Sequence, residues 1–125
     1  MDAERQVAYW AEGAGEDLGV AEALVSQGKI RHGLFFAHLA LEKMLKAHVC
    51  RATQDVPPRT HNLPMLAERA SLQFGETQRN LLAEMERFQL AGRYPDASIA
   101  VPGEREAQEL MARSREVFEW LRRKL

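Results

Sequence analysis

One cysteine in 125 residues, Cys50, leaves no partner for an internal disulfide and fits a reducing, cytoplasmic setting. Strictly apolar runs stop after a few residues, so no membrane span is expected. The N-terminal stretch MDAERQVAYW is acidic and lacks the basic-then-apolar order of a secretory signal. No C-x-x-C or H-E-x-x-H spacing offers a metal site, and no cofactor is expected. Apolar–polar alternation nowhere persists for a strand's length, which excludes a sheet as the organising element. No internal repeat is evident, and no nucleophile–base–orienter set assembles. Ser26, Ser71, Ser98 and Ser114 have no histidine near them in sequence, and Cys50 has only His48, on a different side of its helix.

What is present is one domain's worth of chain, residues 1–125, able to bury roughly two-thirds of its unfolded surface. Apolar residues are 46% and charged residues 28%, the mix of an ordinary globular domain. The net charge of −1 hides an uneven distribution. Residues 1–28 hold six acidic groups and one basic group, whereas residues 29–61 hold six basic groups and two acidic ones. All four histidines, His32, His38, His48 and His61, lie in the basic stretch. That asymmetry suits either an anion or two neighbouring helices with complementary faces.

Helical spacing organises the chain from end to end. Val7, Trp10, Ala14, Leu18, Ala21 and Val25 predict a helix over about 3–27, closed by Gly28. Gly13, Gly15 and Gly19 lie inside it, each costing about 1 kcal/mol against alanine, so tertiary packing must hold it. Gly15 and Gly19 are expected to admit a close helix neighbour. A second helix covers about 29–52 and ends at VPPRT, where two prolines remove backbone donors. THNLPMLAERA opens a short helix with Thr60 as the expected N-cap and Pro64 in its first turn. A fourth helix spans about 77–91 with Leu81, Leu82, Met85 and Phe88 inward. AGRYPDASIAVPG is a long connection, and a last helix covers about 104–123, its RRK at 122–124 favourable beside a helix C-terminus. The expected fold is all-α: an up-down four-helix bundle with one additional short helix.

The second helix carries the most unusual polar content. His32, Lys43, Lys46 and Cys50 fall within about 60° of one another and read as its solvent edge. Gly33, Phe36, Ala37, Ala40, Met44 and Ala47 form a small or flexible zone suited to close packing. Leu34, Leu41, Leu45 and Val49 form another apolar zone, with Arg31, Phe35, His38 and Glu42 running through it. Two apolar zones predict a central helix, wrapped by several neighbours or by a second copy of the chain. His38 and Glu42, four apart, are neighbours on one face. Buried, they must either satisfy each other or reach polar groups on adjoining helices.

Two further stretches have the composition of a binding site. PPRTHNL puts Arg59 and His61 at a helix N-terminus, where backbone donors favour anions; the same residues also suit a cap and a loop anchor. In RYPD, Arg93 offers planar donors for phosphate, Tyr94 a stacking surface and Asp96 an acceptor. Equally, Pro95 and Asp96 suit a turn and Tyr94 a plug at the bundle end.

AHLALEKMLKA, PPRTHNL and GRYPD, in this order within an all-helical chain of this length, resemble the HEPN family (higher eukaryote and prokaryote nucleotide-binding domains). Ala37, Glu42, Lys43 and Lys46 match its A-x-x-x-x-E-K-x-x-K helix, residues 60–63 its THNL segment, and Arg93, Tyr94 and Pro95 its RYP loop. The resemblance implies a dimeric four-helix bundle that binds nucleotide or polynucleotide phosphate and partners a minimal nucleotidyltransferase, in some cases as a toxin–antitoxin pair. Ligand-binding candidates are then His38, Glu42, Arg59, His61, Arg93, Tyr94 and Asp96. Some members are metal-independent ribonucleases with an arginine, four to six residues, then a histidine near the later helices. No histidine follows Arg93 here, so that motif is unmatched. Arg31 and His38 have six residues between them, but on the second helix. In the alternative ribonuclease reading, His38, His61 and Arg93 would be the catalytic residues.

Overall fold

The computed structural model describes residues 1–93 and 100–125, with the side chains of residues 90–93 outside the description. Five helices account for its regular structure: α1 (Ala3–Ser26), α2 (Ile30–Thr53), α3 (Leu63–Arg69), α4 (Glu76–Arg93) and α5 (Glu104–Lys124). The described residues contain no strand. Local chemistry sets the ends. The Asp2 carboxylate accepts from the Arg5 amide at the start of α1. Gly28, at φ 78°, turns the chain in the left-handed region that glycine adopts without strain. Only Gln27, Gly28 and Lys29 separate α1 from α2, so the two pack as an antiparallel hairpin.

The four long helices α1, α2, α4 and α5 form the bundle, and α2 touches every other element. Helices α1 and α4 stand on opposite sides of it without touching among the described residues. Leu34, Leu41, Leu45, Leu63, Leu66, Leu81, Met85, Phe88, Phe118 and Leu121 are all fully enclosed in one core. The expectation of a central α2 is therefore met. Its small zone packs on α1 so closely that a Cβ on Gly33 would stand 3.1 Å from the Ala21 carbonyl oxygen. Also on α1, Glu22 accepts through both carboxylate oxygens from Arg115 of α5, at 2.6 and 2.5 Å. That pair holds the Glu22 carboxyl below its ordinary value.

Several sequence expectations fail, the first because angular position on a helix does not reveal what covers it. Lys46 and Cys50, assigned to a solvent edge, are 7% and 0% exposed. The N-terminal half of α1 lies over them: the Lys46 ammonium sits 5.3 Å from the Trp10 ring centroid, and Cys50 packs with Val7. Burial pushes the Cys50 thiol up, with Asp55 and Glu4 adding to the shift. Gly15 and Gly19 admit no close neighbour within the chain; both are exposed with nothing near a would-be Cβ. The N-cap of α3 is Asn62, whose side chain accepts from Met65 N; Thr60 accepts from Asn62 N one step earlier. Pro64 does fall in the first turn.

His48 ties α2 to the end of α5. Its Nε2 donates to the Leu121 carbonyl at 2.8 Å, one of the carbonyls a helix terminus leaves without an internal partner. Burial holds its imidazole below the ordinary value, the Leu121 bond opposes that shift, and Arg51 reinforces it. Because the unfolded ring takes up a proton first, this contribution to stability is present above the ordinary histidine pKa of about 6.5 and is lost as pH falls through the depressed folded value. The urea midpoint should fall between neutral pH and pH ~5. His48→Gln, whose amide nitrogen can reach the same carbonyl, should show a shallower fall. Identical slopes for the two proteins would exclude His48 as the titrating group.

Candidate functional site

A polar cluster forms where α2, α3 and α4 meet. The helix repeat puts His38, Glu42 and Lys46 one above another on α2, four residues apart. The chain leaving VPPRT brings His61 against them, and α4 contributes Glu86. Glu42 is 3% exposed and accepts two bonds: His61 Nδ1 donates to Oε1 at 2.9 Å, and Lys46 Nζ donates to Oε2 at 3.0 Å. Glu86 Oε1 accepts from the Leu63 amide at 2.6 Å and from His38 Nε2 at 3.3 Å. Carboxylate oxygens only accept, so these contacts place a proton on Nδ1 of His61 and on Nε2 of His38.

His38 and Glu42 thus do not bond each other directly. Their nearest approach is 3.8 Å, from His38 Nδ1 to Glu42 Oε1. Of the two outcomes the sequence allowed, the structure takes the second: each reaches a group from another segment. The result is a chain of polar contacts running from Lys46 through Glu42 to His61, with His38 and Glu86 beside it. It fastens the start of α3 to α2 and α4 at once. Both carboxylates have donors, which offsets their desolvation.

The two histidines differ in access. His38 is 1% exposed, whereas the His61 side chain is 47% exposed. Arg59, two residues before His61, is exposed and makes no ion pair among the described residues. Arg31 is exposed at the first turn of α2, so the Arg31–His38 spacing joins a surface residue to an enclosed one. Arg93 ends α4, its side chain outside the description. Tyr94 and Asp96 lie outside the described residues. Among the described residues, no group of three histidine, cysteine or acidic side chains is arranged to hold a metal ion.

Of the ligand-binding candidates read from the sequence, His38, Glu42 and His61 meet at this junction; Lys46 and Glu86, which also belong to it, were not among those candidates. For Lys46 the signal was its position four residues after Glu42. For Glu86 it was a charged residue at the spacing of Leu82 and next to Met85, two inward positions of α4.

The sequence model of the HEPN domain matches residues 7–124 of this chain. The chain belongs to the HEPN domain family. Two solved structures agree with that placement at the level of the fold. TT1696 from Thermus thermophilus superposes with a TM-score of 0.80 at 22% identity, over 96% of this chain and 98% of that one. ST0689, described as an archaeal HEPN homologue, superposes with a TM-score of 0.72 at 18% identity, over 94% and 96% of the two chains. No protein of curated function matches the sequence. The HEPN bundle found here has no helix among its described residues long and apolar enough to cross a membrane.

Proposed function

We propose that this HEPN chain is a binding module: a homodimer that holds nucleotide or polynucleotide phosphate and acts as the partner of a nucleotidyltransferase, in a toxin–antitoxin setting. The observation that carries the reading is the His61 ring, half exposed yet fixed by a buried carboxylate, on the same loop as the exposed Arg59. An aimed imidazole and, two residues before it, an exposed guanidinium are the donor types suited to gripping a phosphate. The chain supports binding over cleavage because no histidine follows Arg93 and because His38 is enclosed, away from any substrate.

Equilibrium titration with ATP, other nucleotides and short RNAs tests the reading. Saturable, salt-sensitive binding is expected, weakened about tenfold by Arg59→Ala or His61→Ala, the loss of one charge-assisted contact. Light scattering should give twice the mass of the chain. Failure to bind any of these ligands removes the proposal.

One observation favours a second reading. The Glu42–His61 contact orients an imidazole as a general base is oriented, so the chain as a metal-independent ribonuclease is the rival. RNA cleavage in EDTA that disappears in His61→Ala is its signature.

A further inference from the structure

Away from the polar junction, helices α3 and α4 and the segment joining them enclose a cleft of about 430 Å³. Its size lies within the range of small-molecule sites, roughly 300–1,000 Å³. Leu72, Phe74 and Leu82 supply an apolar floor. The rim is divided by charge: Glu68 stands on the α3 wall, Arg79 and Asn80 on the α4 wall. Glu68 and Arg79 do not pair with each other, and neither makes an ion pair elsewhere among the described residues. Asn80, too, keeps its side-chain amide clear of any hydrogen bond among those residues. Among the described residues the cleft thus carries one unpaired charge of each sign, on its two walls, with apolar residues between them.

The geometry points to a binding site for a small zwitterion with an apolar body, that is, a free amino acid with a large aliphatic or aromatic side chain. Its ammonium group meets Glu68, its carboxylate meets Arg79 and Asn80, and its side chain covers Phe74 and Leu72. A purely anionic ligand leaves Glu68 opposing it, and a purely cationic one leaves Arg79 opposing it, so the split rim selects a molecule carrying both charges. This site is separate from the phosphate-binding reading and does not depend on it.

L-Phenylalanine is the probe, followed by calorimetry and by tryptophan fluorescence, since the Trp120 ring centroid lies 5.2 Å from that of Phe74. A ligand of this size should bind with a Kd on the order of 1 mM. N-acetylphenylalanine, without the ammonium charge, and phenylalanine amide, without the carboxylate, should each bind about tenfold more weakly. Glu68→Gln should weaken phenylalanine and its amide while sparing the N-acetyl compound; Arg79→Gln should do the converse. Both substitutions are at exposed positions, so the fold is retained. No response to phenylalanine at tenfold this concentration overturns the proposal. So does equal binding of all three compounds, or binding of adenosine in place of phenylalanine with no effect of Glu68→Gln.

Discussion

Glu42→Ala should destabilise the protein by about 3–5 kcal/mol, the cost of removing one member of a buried charged pair. The carboxylate is 3% exposed, and Lys46, which loses its hydrogen-bonded anion, is 7% exposed. Removing the acceptor leaves an ammonium group enclosed beside the Trp10 ring. It also releases His61, and with it one of the two tethers on the start of α3. Glu42→Gln should cost less, because one oxygen still accepts, although its amide must then face a donor. Urea unfolding monitored by circular dichroism measures both. A loss under about 1 kcal/mol for the alanine variant, the value of an exposed ion pair, would falsify the buried-junction description.

Gly33→Ala should destabilise by about 1–3 kcal/mol despite alanine's higher helix propensity. The new Cβ would stand 2.5 Å from Val25 Cγ2, 3.0 Å from the Val25 amide nitrogen and 3.1 Å from the Ala21 carbonyl oxygen. A valine methyl can rotate away, but the α1 backbone cannot, so the hairpin must part. Gly33→Leu should be worse. Gly15→Ala and Gly19→Ala give the opposite sign: nothing lies within 4 Å of either added carbon. Each should stabilise by up to about 1 kcal/mol through propensity and a less flexible unfolded chain. Thermal melts of the three variants side by side would show one lowered and two raised midpoints. A stabilised Gly33→Ala would mean that α1 and α2 are not in such close contact.

The contrast among these glycines shows how far the sequence could be read. Three glycines within α1 signal that something other than propensity holds that helix, and the α1–α2 packing supplies it. The expectation that Gly15 and Gly19 are the points of close approach fails. The tight contact is made by a glycine of α2, where the sequence shows only one small residue among several. Spacing records which residues share a face, whereas approach distance depends on how two axes cross. The same limit hid the burial of Lys46 and Cys50. On α2 alone they fall on one polar side; in the bundle, α1 covers that side.

His38 and Glu42 illustrate a second limit. Their spacing of four makes them neighbours, and burial demands partners, both of which follow from the helix repeat and the cost of an unpaired buried charge. Which partners they take could not follow. His61 and Glu86 are 19 and 48 residues away along the chain from Glu42 and His38 respectively.

The sequence by itself determined five helices, their order, the central position of α2 and membership of an all-α bundle. Those properties rest on periodicity and on turn chemistry at Gly28, the two prolines before α3 and Pro64, all local in the chain. Tertiary structure alone decided that Glu42 bridges Lys46 to His61, that Glu86 joins them, and that Gly33 rather than Gly15 or Gly19 meets a neighbouring backbone. Those contacts join residues on separate segments, and their free energy exists only once the helices have docked.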